Sequence, residues 1–176
     1  VVAGCLESVC ASADPGLSLE ILVVDNASRD GTAAFLRERF PEAVVLENPQ
    51  NLGFARACNR ALALARGRLT LFLNPDAALP PGALRRLVDR LEREPRPGLL
   101  SPRLQGGGPP AWGRFPTLWR LLLRRLGAAP GPEPPEGPVD WVLGACMLGL
   151  TGTLRELGGF DEDFFLYAED IDWCRR

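Results

Sequence analysis

Carboxylates must carry whatever acid–base chemistry this chain performs, because its 176 residues include no histidine. That absence removes every mechanism relying on an imidazole base, the serine and cysteine triads included. Asp25 follows the apolar run "ILVV", and Asp76 follows "LTLFLN" with Pro75 between it and Asn74. Pro75 fixes its own φ and holds Asn74 extended, so Asp76 is presented in a defined direction. One carboxylate, an amide and several waters form a ligand set that Mg²⁺ accepts when a substrate diphosphate completes its octahedron. Each residue also has a local explanation, an Asx-turn at Asp25–Asn26 and a turn cap at Asp76. Their joint placement just past two strands is what points to a site. A third set, Glu169, Asp170 and Asp172, falls on a predicted helix within "FFLYAEDIDW". A solvated acidic first turn with an Asp172–Arg176 pair would account for part of it. The surrounding Phe164, Phe165, Leu166, Tyr167 and Trp173 predict that at least one carboxylate is enclosed, and an enclosed carboxylate of raised pKa can act as a base.

A further polar stretch, "NPQNLGFARACN", places Asn51 and Gly53 at the start of a predicted helix, where free N–H groups and the helix dipole favour an anion. Arg56 and Asn59 project from its first turns. In isolation, an ordinary helix start with Gly53 as a permissive turn residue is the better explanation of the stretch. No G-x-x-x-x-G-K occurs, and no G-x-G-x-x-G follows a strand, which weighs against kinase-like and dinucleotide chemistry.

The elements that must position these residues alternate. After an opening helix, a fully buried strand is predicted over 19–25, a helix over 31–40 and a strand over 43–47. Phe54, Ala57, Cys58, Ala61, Leu62 and Ala65 then recur at helical spacing up to a stop at Gly67. The strand "LTLFLN" and a helix over 82–94 opened by Pro81 come next. This alternation predicts an α/β fold with a doubly wound, mainly parallel sheet flanked by helices. In such a sheet, ligands bind outside the carboxyl ends of the strands, the edge to which Asp25 and Asp76 are delivered. Residues 105–138 are Gly/Pro-rich around one short amphipathic segment, "TLWRLLLRRLG", and are expected to be a mobile excursion with no other regular element. "VDWVLGACMLGL" reads as one returning strand and 152–157 as a helix.

The length suits a single domain spanning 1–176. A formal charge of −2 and pI near 5.3 leave no basic excess for phosphate neutralisation, which excludes nucleic acid as the expected partner. All 20 cationic residues are Arg. Cys5, Cys10, Cys58, Cys146 and Cys174 form no C-x-x-C pair and are expected to be buried thiols in a reducing compartment. No signal peptide or run of 18 apolar residues appears. The chain opens inside one helical pattern and stops inside another, so both ends are expected to be cut.

Taken in order, "VVDNASRDGT", "NPQNLGFARACNRAL", "LFLNPDA", "VLGACML" and "GGFDEDFFLYAEDIDWCRR" resemble family 2 glycosyltransferases, especially the bacterial rhamnosyltransferase-like branch. The resemblance covers nearly the whole chain outside 105–138. It implies the GT-A fold, with a mixed sheet in the C-terminal part, and inverting transfer of a sugar from a nucleotide diphosphate donor aided by a divalent metal, Mg²⁺ or Mn²⁺. By position, Asp25 matches the residue at the nucleobase and Asp76 the metal-binding Asp of the family's D-x-D, whose first Asp is replaced by Asn74. Asn26 and the Asn51–Asn59 stretch, with Gly53 and Arg56, would line the donor site. Gly144 and Ala145 would lie near the donor sugar, and Asp170 would be the general base. Asp161, Glu169, Asp172 and Trp173 are assigned to the acceptor side or to the support of Asp170. Family members begin with a buried strand ahead of the first residue here, so the domain is expected to be incomplete, with an uncovered sheet edge.

The implied donors are dTDP-rhamnose or a UDP-sugar, and the acceptor is a saccharide or lipid-linked saccharide. The implied location is cytoplasmic, with peripheral association at the inner face of the plasma membrane left open. Two other functions remain alternatives: a nucleotidyltransferase that makes a nucleotide sugar, and a non-catalytic nucleotide-sugar-binding module.

Overall fold

The computed structural model describes residues 1–95, 97–105, 111–115, 117, 125 and 137–176. In chain order the elements are α1 (Val2–Ala11), β1 (Leu22–Asp25), α2 (Thr32–Arg39), β2 (Val44–Glu47), α3 (Phe54–Leu64), β3 (Leu69–Leu73), α4 (Ala83–Glu92), β4 (Trp112–Gly113), β5 (Trp141–Val142), β6 (Cys146–Leu150), α5 (Thr151–Glu156) and α6 (Glu169–Arg175). The chain is α/β as expected, and its strand pairing is mixed. β1 and β2 run parallel, with Leu22 opposite Val44 and Asp25 opposite Glu47. β3 and β6 run antiparallel, with Leu69 opposite Leu150 and Leu73 opposite Cys146.

The parallel character is therefore confined, among the described residues, to the first pair. β6 returns against β3 in the opposite sense, and Leu100 bridges it on its other side. β6 lies in the interior, as its unbroken apolar run Cys-Met-Leu-Gly-Leu requires. β1 is less enclosed than its β-branched sequence predicts. Leu22, Val23 and Val24 are half-buried, because ladder bonds from the described residues reach β1 from β2 alone.

The largest core cluster joins Ala55 and Leu62 of α3, Phe72 of β3, Met147 of β6, Leu154 of α5, Phe160, and Trp173 of α6. A second, from α1, α2 and the turn before β2, gathers Leu6, Leu36, Phe40 and Ala43. α3 buries the face its periodicity marks, but it ends at Leu64, short of Gly67. Ala65 is extended, and the Arg155 guanidinium donates to the carbonyls of Leu62, Ala63 and Ala65 that the helix end leaves over. α4 starts after Gly82, at φ 70°, instead of at Pro81.

Two departures fall late in the chain. Trp112–Gly113, inside the stretch expected to lack regular structure, pairs with Trp141–Val142. Gly113 permits this because a Cβ there would lie 2.5 Å from the Trp141 ring. The remainder of the 105–138 expectation, including the amphipathic segment, lies mostly outside the described residues. The single strand expected over 139–150 is broken at 143–145 into β5 and β6, and that break matters to the site. Among the described residues, no helix is long and apolar enough to cross a membrane.

Candidate active site

The turn after β3 is held from both sides. The Asn74 amide donates to the Ala145 carbonyl at 2.9 Å, and the Asn74 carbonyl accepts from the Ala77 amide at 3.1 Å. α1 fixes the chain beyond this turn, with Ser8 Oγ accepting from the Leu79 amide and Ser12 Oγ from the Leu84 amide. Between these anchors Asp76 is exposed, and it makes no hydrogen bond or ion pair with any described residue. Cys5, whose thiol donates to the Asn74 carbonyl, lies close enough to Asp76 that its thiol pKa is raised, chiefly by burial and further by that negative charge.

Ala145 leads to Gly144, whose amide donates to Asp170 Oδ2 at 2.8 Å. Asp170 Oδ1 accepts from the Ile171 amide at 2.8 Å. Asp170 is 6% exposed, and each of its oxygens accepts one backbone N–H. The break at 143–145 makes this possible, since a continuous strand would turn these peptide groups into its ladder. One path of backbone bonds thus runs from the Asp76 turn to Asp170.

Asp25, also 6% exposed, accepts from the Ser28 amide through Oδ1, so its local turn-forming role is real. Its Oδ2 has no bond to a described residue. Asn26 is consumed internally. Its Oδ1 accepts from Asn48 Nδ2 and the Leu52 amide, and its Nδ2 donates to Asn51 Oδ1 and the Gly53 carbonyl. Asn51 Oδ1 also accepts from the Gly53 amide. These two amides therefore build the loop that would line a donor, in place of offering free groups to it. Asn48 and Arg60, absent from the sequence expectations, complete the network: Arg60 donates to Asn48 Oδ1 and the Glu47 carbonyl. An Asn directly after a β-branched strand was the available signal for Asn48.

The start of α3 differs from the anion site its sequence suggests. The Phe54 amide donates to the Phe165 carbonyl at 2.9 Å, so a peptide group occupies that donor. Gly53 has φ 85°, and a Cβ there would lie 2.5 Å from the same carbonyl oxygen. Arg56 pairs with Glu162, and Asn59 bonds Phe160 and Glu162. Both side chains hold the C-terminal segment.

On α6 the acidic cluster separates by face. Asp172 pairs with Arg176, as the spacing predicts. Glu169 is 5% exposed, and burial, reinforced by the charge of Asp170, raises its pKa. Among the described residues its Oε2 has no hydrogen-bond partner, nor does Trp173 Nε1. Glu169 is thus the enclosed carboxylate of raised pKa. Trp173, assigned to the acceptor side or to the support of Asp170, is core, at 2% exposure against Phe160 and Phe72. Its place one turn after Glu169 and Asp170 puts it on their buried face. Asp161 Oδ1 accepts from the Asp163 amide and shapes an exposed turn. All five cysteines are free; Cys5 and Cys146 are buried, whereas Cys10 is exposed.

The donor chemistry of the 74–76 turn fits a hard divalent cation shared with a ligand. Asp76 is an unpaired carboxylate beside an amide side chain, and among the described residues no cluster of three or more His, Cys, Asp or Glu could cage a metal unaided.

An α/β fold with one carboxylate at the end of β1, another in the turn after β3 and a buried Asp at the start of α6 is consistent with the family that the sequence motifs resemble. The chain belongs to glycosyl transferase family 2, which residues 1–133 match. It is 31% identical, over 88% of its length and 59% of the relative's, to the N-acetylglucosaminyl-diphospho-decaprenol L-rhamnosyltransferase of Mycobacterium tuberculosis (strain ATCC 25618 / H37Rv). It is 27% identical, over 89% of its length and 52% of the relative's, to the low-salt glycan biosynthesis hexosyltransferase Agl10 of Haloferax volcanii. The chain therefore spans between half and three-fifths of these relatives. The fold matches the mannosyltransferase PcManGT from Pyrobaculum calidifontis in complex with GDP-Man and Mn²⁺, with TM-score 0.66, 24% identity, and 98% of this chain and 46% of that one covered. S. aureus TarS 1-349 in complex with UDP matches with TM-score 0.70, 19% identity, and 98% and 49% coverage.

Proposed function

We propose that this domain transfers a sugar from a nucleotide diphosphate donor to an acceptor hydroxyl in one inverting displacement, with Asp170 as the general base. The observation that carries this is the bond path Asn74–Ala145–Gly144–Asp170, which ties a free carboxylate fit for metal and diphosphate to a carboxylate fit for a proton. Asp76, with Asn74 beside it, would hold the divalent ion, Mg²⁺ or Mn²⁺. Bound there, the ion would supply neutralisation of the departing diphosphate.

The chain's own residues do the rest. Asp25 receives the nucleoside portion through its uncommitted Oδ2, on a loop that Asn26, Asn48 and Asn51 pre-shape. The acceptor oxygen bonds the anomeric carbon as the bond to the diphosphate oxygen breaks, and Asp170 takes the acceptor's proton. To do so Asp170 must release one of its backbone donors or share an oxygen with the acceptor. Gly144, next to it, borders the reacting sugar.

For substrates we take dTDP-rhamnose, or a UDP-sugar, as donor and a lipid-linked saccharide as acceptor. The name of the mycobacterial relative supports this choice. Such an acceptor would place the enzyme in the cytoplasm against the inner face of the plasma membrane. Titration calorimetry of dTDP-rhamnose and UDP-glucose with and without Mn²⁺ tests the donor half. One of them should bind more tightly with Mn²⁺, and D76A should lose that increment. Full Mn²⁺-dependent affinity in D76A would remove Asp76 from the site. Donor binding without transfer to any lipid-linked saccharide would favour a binding module.

A further inference from the structure

We propose that Asn59 is a positioning residue for Asp170, acting through the Gly158–Phe160 segment, and that it makes no contact with the donor. This rests on the assignment of Asp170 as the base. Asn59 sits on α3, 101 residues before Phe160. Its Oδ1 accepts from the Phe160 amide at 2.9 Å, and its Nδ2 donates to the Phe160 carbonyl at 2.8 Å. One side-chain amide thus satisfies both backbone groups of a single residue, as a neighbouring strand would. Nδ2 also donates to Glu162.

Gly159, at φ 69°, completes the clamp, because a Cβ there would collide with Asn59 Oδ1. From the opposite side, Arg176 donates to the carbonyls of Leu157 and Gly159, each at 2.8 Å. Gly158–Phe160 is therefore gripped between α3 and the end of α6.

The grip is transmitted by packing. Phe160 is 1% exposed, and its ring centroid lies 4.1 Å from that of Trp173. Trp173 shares the buried face of α6 with Asp170, whose Oδ2 meets the Gly144 amide. Close-packed rings transmit displacement because no void absorbs it. Release of Phe160 should shift Trp173, rotate α6 and lengthen the Asp170–Gly144 bond, while the loop at Asp25 keeps its own network.

The test uses ¹⁵N-labelled protein and reads the exchange rate of the Gly144 amide, a reporter of Asp170 independent of turnover. In N59A the Gly144 amide should exchange at least tenfold faster, with β6 amides 146–150 unchanged. Transfer from dTDP-rhamnose should fall in kcat by about tenfold to a hundredfold with donor KM unchanged. N59D, which can still accept from the Phe160 amide but sets a carboxylate against the Phe160 carbonyl and Glu162, should not restore Gly144 protection. Unchanged Gly144 exchange in N59A overturns the proposal. So does equal acceleration at Gly144 and β6, which marks a merely structural role, or a weakened dTDP affinity with Gly144 protection intact, which marks a donor contact. Absence of transfer by the wild type would count against the proposed function and leave the exchange comparison decisive for Asn59.

Discussion

Replacing Asp170 by Asn removes the proposed base, but the bonds around Asp170 make the substitution less neutral in shape than it looks on paper. Oδ2 accepts from Gly144 and Oδ1 from Ile171, so both carboxylate oxygens face N–H donors. An amide has one acceptor oxygen; whichever way it turns, its NH₂ confronts an N–H. One bond to a charged acceptor is lost and a donor is stranded at 6% exposure, a cost of about 1.5–3 kcal/mol. For a chain of this size that corresponds to a fall in Tm of roughly 3–12 °C. Loss of proton acceptance should lower kcat by about two to four orders of magnitude. Donor affinity should stay at the wild-type value, because Asp170 has no part in the Asn26–Asn48–Asn51 network. The assay combines sugar transfer, calorimetry with donor and Mn²⁺, and thermal unfolding of D170N. Transfer at the parent rate would refute Asp170 as base. An unchanged Tm would refute the claim that both oxygens are engaged in the free protein.

The remaining predictions concern the supports. G53A should lose about 2–4 kcal/mol, from a backbone conformation that favours glycine and from the broken Phe54–Phe165 bond, as measured by denaturant unfolding. E169Q should be more stable than wild type near neutral pH. The folded-state pKa of Glu169 is raised, so the folded protein holds the proton better than the unfolded chain and loses stability as pH climbs through that window. The gain in E169Q should shrink as pH falls toward the ordinary glutamate range; a gain independent of pH would contradict the burial argument. Amides of β6, ladder-bonded to β3 and bridged by Leu100, should exchange more slowly than those of β1, which is paired along one edge and half-buried; equal protection would contradict the pairing described.

Local pattern revealed the order and type of the main elements because period and turn chemistry act over a few residues. The apolar run at 146–150 and the periodic face of α3 lie where the sequence puts them. Asp25 and Asp76 could be placed for the same reason, at a strand end and in the turn after a strand, whereas Asp170 was set apart from Glu169 and Asp172 only by the family resemblance. What escaped depends on partners far along the chain. Whether Asn59 meets a ligand or a peptide group is decided by Phe160, 101 positions away, and an amide side chain looks the same in both roles. Which of its two assigned places Trp173 takes, beside the acceptor or behind Asp170, depends on the helix face, and its burial against Phe160 and Phe72 favours the second. The break at 143–145 was hidden inside a continuous apolar stretch, since hydrophobicity reports burial and not the direction of peptide bonds.

That break has a consequence for how such a domain can vary. The span between the Asp76 turn and Asp170, the proposed metal and base positions, is set by the two peptide units of Gly144 and Ala145, held at one end by Asn74 and at the other by Asp170. Side chains have little say in that distance. A methyl group at 144 would rest 3.6 Å from Phe54 and 3.7 Å from Asp170 Cβ, ordinary contact distances. A single methyl at 144 is therefore tolerated by the protein around it, whereas a change in the number of residues is not: one residue added or removed would reset the gauge between the Asp76 turn and Asp170 while leaving both carboxylates intact.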